Sequence, residues 1–135
     1  MFVHLETQPD TLYERVGGEA FFSALVERFY VRVEGDPIVR SLYPSDLEPP
    51  KRHLALFLAQ YWGGPRTYSL ERGHPRLRMR HFPFRIGRRE RDAWLRHMHE
   101  AVEASDASPA DAEALLAYFE TAATSLVNQP RSDSD

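Results

Sequence analysis

The sequence contains no cysteine among its 135 residues. This absence excludes disulfide bonds, thiolate nucleophiles, zinc sites built on sulfur and covalent attachment of a cofactor through sulfur. Any metal or prosthetic group must therefore be held by histidine, carboxylate or tyrosine, or by non-covalent packing.

Long apolar runs and an excess of charge of one sign are also missing. The most hydrophobic stretch, residues 54–59, is far too short to span a bilayer, and residues 1–10 contain no apolar core of a signal peptide. The formal charge of −3 gives no global attraction to nucleic acid or to an anionic membrane. The composition thus predicts a soluble, cytoplasmic protein that neither binds nucleic acid nor inserts into a membrane.

Alternating β-branched segments and internal repeats are absent, which leaves helical periodicity as the dominant pattern. Apolar spacing, capping residues and Gly or Pro breakers predict an all-α fold. The predicted helices cover residues 11–16, 19–34, 37 to 42 or 43, 50–62, 76–81, 88–104 and 109–128. We expect a flexible arm at 1–10, one domain at 11–128 and a disordered polar tail at 129–135.

The middle of the chain is unusual for a simple helical bundle. Residues 63–75 hold three glycines and two prolines and are predicted to form an ordered, irregular loop. The four long helices also carry many large aromatic side chains, whereas a bundle core favours aliphatic layers and short connections. This combination indicates that something bulky occupies the interior.

Histidine is the best metal ligand that the chain offers. None of its six histidines has another three or four residues away, the spacing that a helical zinc site needs. One histidine suffices if a porphyrin supplies the other in-plane ligands. His81 is the best candidate because Leu77, Phe82 and Phe84 could form an apolar wall beside it; the alternative is a surface histidine in a basic segment.

Residues 72–91 form a strongly basic segment in which only Glu90 carries the opposite charge. Its arginines could form a solvated face, pair with the propionates of a porphyrin, or contact an acidic partner or nucleic acid. The negative charge of the whole chain disfavours nucleic acid. The eight arginines are Arg72, Arg76, Arg78, Arg80, Arg85, Arg88, Arg89 and Arg91.

Three aromatic residues with a polar group stand where the apolar pattern demands burial: Tyr30, Tyr43 and Trp94. A buried O–H or N–H needs an acceptor. Backbone carbonyls could supply it, or all three side chains could point at a bound ligand.

Several segments together resemble the truncated globins, and most closely the second group of that family, the O type. They are RFY at 28–30, LYP at 42–44, QYWGGPRTYS at 60–69, RGHPRLRMRHFPFRI at 72–86 and ERDAWLRHMH at 90–99. The resemblance covers about residues 11–128. It implies a two-on-two helical sandwich around one non-covalent haem b. This haem would be the bulky group that occupies the interior.

The resemblance also implies roles for individual residues. His81 becomes the proximal iron ligand, and Tyr30, Tyr43 and Trp94 become distal hydrogen-bond donors. Pro50 stands where many globins carry a distal histidine, so tyrosine and tryptophan must hold the gas. Expected haem-pocket residues are Leu54, Phe57, Tyr61, Leu77, Arg80, Phe82, Phe84 and Met98. Possible propionate partners are His53, Arg76, Arg78 and Arg80.

The function that the resemblance implies is reversible binding of dioxygen and other diatomic gases, in a monomer or homodimer. Phenol and indole donors favour slow release, which suits sensing, scavenging or redox chemistry better than delivery. Nitric oxide detoxification or peroxide reduction would need a separate reductase, because the chain has no flavin or nicotinamide motif. The alternative is a cofactor-free helical interaction module that uses the basic face of residues 72–91.

Overall fold

A computed structural model describes residues 11–130; the predicted arm at 1–10 and the last five residues of the predicted tail lie outside this range. Between residues 11 and 130 the chain is all-helical, with no strand, as the sequence predicts. The helices are α1 (Leu12–Val16), α2 (Glu19–Glu34), α3 (Pro37–Arg40), α4 (Glu48–Tyr61), α5 (Thr67–Arg72), α6 (Leu77–His81), α7 (Arg88–Glu103) and α8 (Pro109–Ser125).

Two pairs of long helices form the sandwich: α2 packs against α4, and α7 packs against α8. Contacts between α2 and α7 join the pairs. The apolar stripe of α2 lies at their centre, where Phe22, Leu25 and Phe29 are fully buried. No helix within residues 11–130 is both long and apolar enough to cross a membrane.

Local capping sets the starts of the short helices as the sequence predicts. Thr11 and Glu14 form a reciprocal capping box at α1, with the Glu14 N–H donating to Thr11 Oγ1 over 3.1 Å. At α3, Asp36 accepts from the Ile38 N–H, and Pro37 occupies the first turn, where its missing N–H costs nothing.

The predicted loop at 63–75 was wrong in one respect, because α5 forms inside it. The Gln60 side chain, which lies outside α5, holds this helix: its Nε2 donates to Ser69 Oγ over 2.7 Å, and its Oε1 accepts from the Ser69 N–H over 3.0 Å. The helix propensities of residues 67–72 do not reveal a contact with a side chain from another helix. Smaller differences concern the starts and ends of helices: α4 begins at Glu48 rather than 50, α3 ends at Arg40 and α8 ends at Ser125.

The Gly63–Gly64 turn allows α1 to lie directly on the end of α4. Gly63 has φ +107°, a backbone conformation that residues with a Cβ rarely adopt. A Cβ on Gly64 would lie 2.6 Å from the Tyr13 ring and 2.8 Å from the Ala59 carbonyl oxygen. Close packing therefore requires glycine at both positions.

We expect Gly64→Ala to lower the free energy of unfolding by about 1–3 kcal/mol, because its Cβ meets backbone that cannot move aside. The midpoint of thermal unfolding should fall by roughly 4–15 °C. Gly35→Ala is the matched control, since its φ is −92° and the nearest atom to a new Cβ is 3.9 Å away. Equal midpoints for the two variants would contradict the steric argument.

Candidate functional site

The imidazole of His81 is oriented by the helix that carries it. His81 Nδ1 lies 2.7 Å from the Leu77 carbonyl oxygen, one turn earlier in α6. A carbonyl oxygen can only accept, so Nδ1 carries a proton, and in the neutral ring Nε2 keeps its lone pair. A hydrogen bond of this kind fixes the tautomer and the ring orientation of a metal-binding histidine.

Helix α6 stands off the core that the long helices form. None of its residues is buried, although Leu77, Arg80 and His81 are half-buried. Among the described residues, α6 makes no extensive contact with any long helix. The half-buried face of α6, which presents His81, is therefore not covered by protein in the way that the apolar faces of α2 and α7 are.

Arg80 ties the N-terminal side of α6 to the segment before it. Its Nε donates to the Pro75 carbonyl over 2.7 Å, and its Nη2 donates to the Arg72 carbonyl over 2.9 Å. Arg76, the N-cap residue just before α6, has the left-handed φ of 45°. A non-glycine residue in this region stores strain that the surrounding contacts must hold.

Asn128, just after α8, holds the C-terminal side of α6. Its Nδ2 donates to the Phe84 carbonyl over 2.7 Å and to the His81 carbonyl over 3.3 Å. Its Oδ1 accepts from the Ile86 N–H over 3.0 Å, and its backbone N–H donates to the Ile86 carbonyl over 2.9 Å. Four hydrogen bonds from one residue thus fix the segment that leaves His81.

A second polar group joins three elements. Trp94 in α7 donates from Nε1 to Tyr43 Oη over 3.1 Å. The rings of Tyr43 and Tyr30, in α2, meet edge to face with centroids 5.4 Å apart. The structure thus brings together the three aromatic residues that the sequence singled out.

The hydrogen bond from Trp94 uses the Tyr43 oxygen and leaves the Tyr43 proton available. Burial raises the pKa of Tyr30, and the neighbouring Tyr43 raises it further. Burial also raises the pKa of Tyr43. Both phenols stay protonated at neutral pH. Tyr43 can therefore accept from Trp94 and still donate its own proton to another group.

Asp36 positions the chain that leads to Tyr43. Its Oδ1 caps α3, while its Oδ2 accepts from His97 Nε2 over 2.7 Å and from Arg96 Nη2 over 3.3 Å. The hydrogen bond from His97, followed by that from the Ile38 N–H, holds the pKa of Asp36 below its usual value. This carboxylate fastens α3 to α7 one turn from Trp94, so it sets the relative positions of Tyr43 and Trp94.

A basic cluster joins α4 to the segment before α6. His53 Nε2 lies 3.1 Å from Arg72 Nη1. Burial lowers the pKa of His53, and Arg72, Arg52 and Arg80 lower it further. Of the predicted propionate partners, His53 and Arg80 therefore belong to one cluster, together with Arg72. Arg76 and Arg78 are exposed, and their side chains have no hydrogen-bond or ion-pair partner within residues 11–130.

The predicted pocket residues fall into two sets. Leu54 and Phe57 are half-buried against the core, and Met98 is fully buried in it. Tyr61 and Phe84 are 52% and 44% exposed.

Phe82 is the exception among the predicted pocket residues. It is 77% exposed and continues the helical geometry of α6, so it is turned about 100° away from His81. Its side chain lines a surface recess with Arg78, Met79 and Pro83.

The donor set fits a porphyrin metal site. No cluster of three histidine or carboxylate groups occurs in the part of the chain that the structure describes, so protein side chains alone do not form a metal site there. A macrocycle needs from the protein one oriented nitrogen, apolar walls and cations for its carboxylates. His81, the half-exposed Tyr61 and Phe84, and the cluster around His53 provide these three things.

Sequence reasoning missed two positioning residues, Asn128 and His97, and did not place Arg72 in the basic cluster. An asparagine just after a helix is usually assigned to the helix end, so its four hydrogen bonds 42 to 47 residues back were not apparent. The sequence analysis considered His97 only as one of six histidines that lack the spacing of a helical zinc site. The one available signal was the capping role of Asp36, whose second oxygen was free for a partner.

The matches to known proteins cover the same part of the chain as this site. The family model of bacterial-like globins matches residues 11–128. The chain is 40% identical over 121 residues to the group 2 truncated hemoglobin YjbI of Bacillus subtilis, and the match covers 90% of this chain and 91% of that protein.

Solved structures agree with this assignment. The hemoglobin from Chloroflexus aurantiacus superposes with a TM-score of 0.87 at 55% identity, covering 90% of this chain and all of the other. The truncated oxygen-avid haemoglobin from Bacillus subtilis gives a TM-score of 0.84 at 40% identity, covering 88% and 100%. The chain therefore belongs to the bacterial-like globin family and is a truncated haemoglobin of the second group.

Proposed function

We propose that this globin holds one haem b without a covalent bond, with His81 Nε2 as the iron ligand, and that it binds dioxygen. The observation that carries the proposal is the hydrogen bond between His81 Nδ1 and the Leu77 carbonyl, on a helix that stands off the core. The absence of cysteine from the sequence agrees with non-covalent binding. When bound, haem would supply an iron that can bind a diatomic gas.

The residues that would hold the macrocycle follow from burial and charge. Leu54, Phe57, Tyr61, Leu77 and Phe84 provide apolar contact, with Met98 behind them in the core. The cluster of His53, Arg72 and Arg80 supplies positive charge for the propionates, and guanidinium groups bind carboxylates well. We leave Phe82, Arg76 and Arg78 out of this set because they are exposed, and Phe82 and Arg78 line a recess on the outer side of α6.

Tyr43 is the group that would donate to the gas. Its oxygen already accepts from Trp94, so its own proton is available to another group. Trp94 then acts through Tyr43, by fixing its hydroxyl and strengthening it as a donor, and Tyr30 packs edge to face against the Tyr43 ring. A donor held in this way favours slow release of the gas, and the similar protein from Bacillus subtilis is described as oxygen-avid.

Slow release suits scavenging, sensing or redox chemistry better than delivery. Nitric oxide detoxification and peroxide reduction both require electrons from a separate reductase, since the sequence has no flavin or nicotinamide motif. The cytoplasmic location, the oligomeric state and any enzymatic role stay predictions. The cofactor-free interaction module remains the alternative, and it requires a colourless protein.

The absorption spectrum tests the haem and its ligand. Purified wild-type protein should show an intense haem band that responds to dithionite and then to air. In His81→Ala this band should be lost or strongly shifted, because no other histidine within residues 11–130 has its ring oriented by a backbone carbonyl. His99→Ala is the matched control, since His99 is exposed on α7 and should leave the spectrum unchanged. Wild-type protein that stays colourless after addition of haem would refute the proposal.

Gas release rates rank the three distal residues. Tyr43→Phe should speed dioxygen release by about 10- to 100-fold, the effect of losing one hydrogen bond to a charged or strongly polar group. Trp94→Phe and Tyr30→Phe should each speed it less, because Trp94 acts through the Tyr43 hydroxyl and Tyr30 contacts the Tyr43 ring. Tyr13→Phe serves as control, since this ring stacks on Phe22 outside the polar group. An unchanged rate in Tyr43→Phe would refute the role of its proton.

The rate at which the protein loses haem tests the anchoring role of Asn128. Asn128→Ala removes the three side-chain hydrogen bonds to residues 81–86 and should speed haem transfer to an acceptor apoprotein by about tenfold or more. Asn128→Asp keeps an acceptor for the Ile86 N–H but loses the donor to the His81 and Phe84 carbonyls, so it should be intermediate or equally impaired. Ser125→Ala, at an exposed position on α8, should change nothing. Transfer at the wild-type rate in both Asn128 variants would show that the segment after His81 needs no such anchor.

A further inference from the structure

The side of α6 that faces away from His81 carries an exposed apolar recess. It is a shallow depression, open to solvent, that is lined by Arg78, Met79, Phe82 and Pro83. Met79 is 60% exposed and Phe82 is 77% exposed, although large apolar side chains on a surface lose contact with other apolar groups. We call these four residues the outer face of α6.

Helix geometry separates the outer face from the haem side. Successive residues turn by about 100°, so Leu77 lies within about 40° of His81, whereas Phe82 and Met79 are turned about 100° and 160° away from it. Arg78, about 60° from His81, lies at the border between the two sides. Leu77 and His81 are half-buried, while Arg78, Met79 and Phe82 are exposed. A haem bound at His81 would therefore leave Met79 and Phe82 uncovered, with Arg78 at their border.

The outer face lies in a segment of concentrated positive charge that nearby carboxylates do not neutralise. Residues 72–91 hold eight arginines and one glutamate, so this segment carries +7, and the rest of the chain carries −10. Arg78 and Arg85 are exposed and have no carboxylate partner within residues 11–130. Several arginines elsewhere do find one: Arg15 pairs with Asp111, Arg32 with Glu100, Arg52 with Glu71 and Arg96 with Asp36.

We propose that the outer face of α6 is the docking site of an acidic electron-carrier protein, whose carboxylates pair with Arg78 and Arg85 while an apolar side chain enters the recess beside Phe82. This proposal rests on the proposed haem function. One electron would pass from the reduced carrier to ferric haem and leave ferrous haem, with no bond formed or broken and no proton transferred. Since α6 also carries the iron ligand, only this helix would separate the docked carrier from the haem.

Three observations favour a protein over other anionic partners. Arginine, phenylalanine and methionine are enriched in the cores of protein interfaces. A five-residue helix is too short to lie in a membrane surface as an amphipathic helix. The charge of −10 on the rest of the chain would repel an extended phosphate backbone, whereas it would orient a compact acidic protein toward the basic side.

Reduction of the ferric holoprotein tests the proposal. The probes are an acidic flavodoxin and an acidic plant-type ferredoxin, each reduced beforehand, and stopped-flow absorbance follows the second-order rate. At low salt, Arg78→Glu should lower this rate by about tenfold or more for the better probe, and the rate should depend less on ionic strength than in wild type. Phe82→Ala should lower it severalfold at every salt concentration, because apolar contact is not screened.

Arg66→Glu is the matched control, since Arg66 is exposed, lies outside residues 72–91 and changes the net charge equally. Reduction by dithionite and the gas release rate should be the same in all variants. The proposal is overturned if Arg66→Glu slows reduction as much as Arg78→Glu does, or if neither probe reduces wild type faster than it reduces Arg78→Glu.

Two further measurements separate the possible causes of failure. Binding of the oxidised carriers, measured by calorimetry, needs no haem in the globin, so a colourless protein that still binds through Arg78 would refute the haem function and keep the docking site. Sedimentation with vesicles of phosphatidylserine and phosphatidylcholine tests a membrane partner. Vesicle binding that depends on Arg78 and Phe82, without binding of either carrier, would overturn the proposal.

Discussion

The hydrogen bond from His81 Nδ1 to the Leu77 carbonyl is the interaction on which the candidate site depends. A backbone carbonyl one turn away cannot move without unwinding α6, so it orients the ring more firmly than a flexible side chain could. Other contacts serve to keep α6 in place. Arg80 holds the segment before it and Asn128 the segment after it, which compensates for the absence, within residues 11–130, of extensive packing against the long helices.

On the side where the gas would bind, the hydrogen-bond donors are uncharged side chains, and burial holds them in place. Tyr30, Tyr43 and Trp94 come from three separate elements, and Asp36 fixes two of these elements to each other. Charge is kept at the edge of the site, on Asp36 and in the cluster around His53. The interior polar group can therefore donate hydrogen bonds without carrying charge into the core.

Much of the fold could be predicted from the sequence because its signals are local. The stripe of α2, the capping box at Thr11 and the Asp36–Pro37 start depend on residues within one or two turns, and the structure has all three. Helix α5 could not be predicted, because it is held by Gln60 through a contact between two elements. The resemblance singled out His81, Tyr30, Tyr43 and Trp94, but the direction of their hydrogen bonds depends on three-dimensional positions. The same limit explains Phe82: its sequence position beside His81 suggests the pocket, whereas one residue along a helix turns a side chain well away from its neighbour.

The anchoring of His81 by Asn128 also has a consequence for the order in which the protein is made. The segment 81–86 acquires its hydrogen bonds only when residue 128 is present, and 47 positions separate Asn128 from His81. During synthesis, α2 and α4 can already pack together while α8 is still incomplete. The iron ligand would be held in its final orientation last, so stable capture of haem would belong to the end of folding and would not guide its beginning.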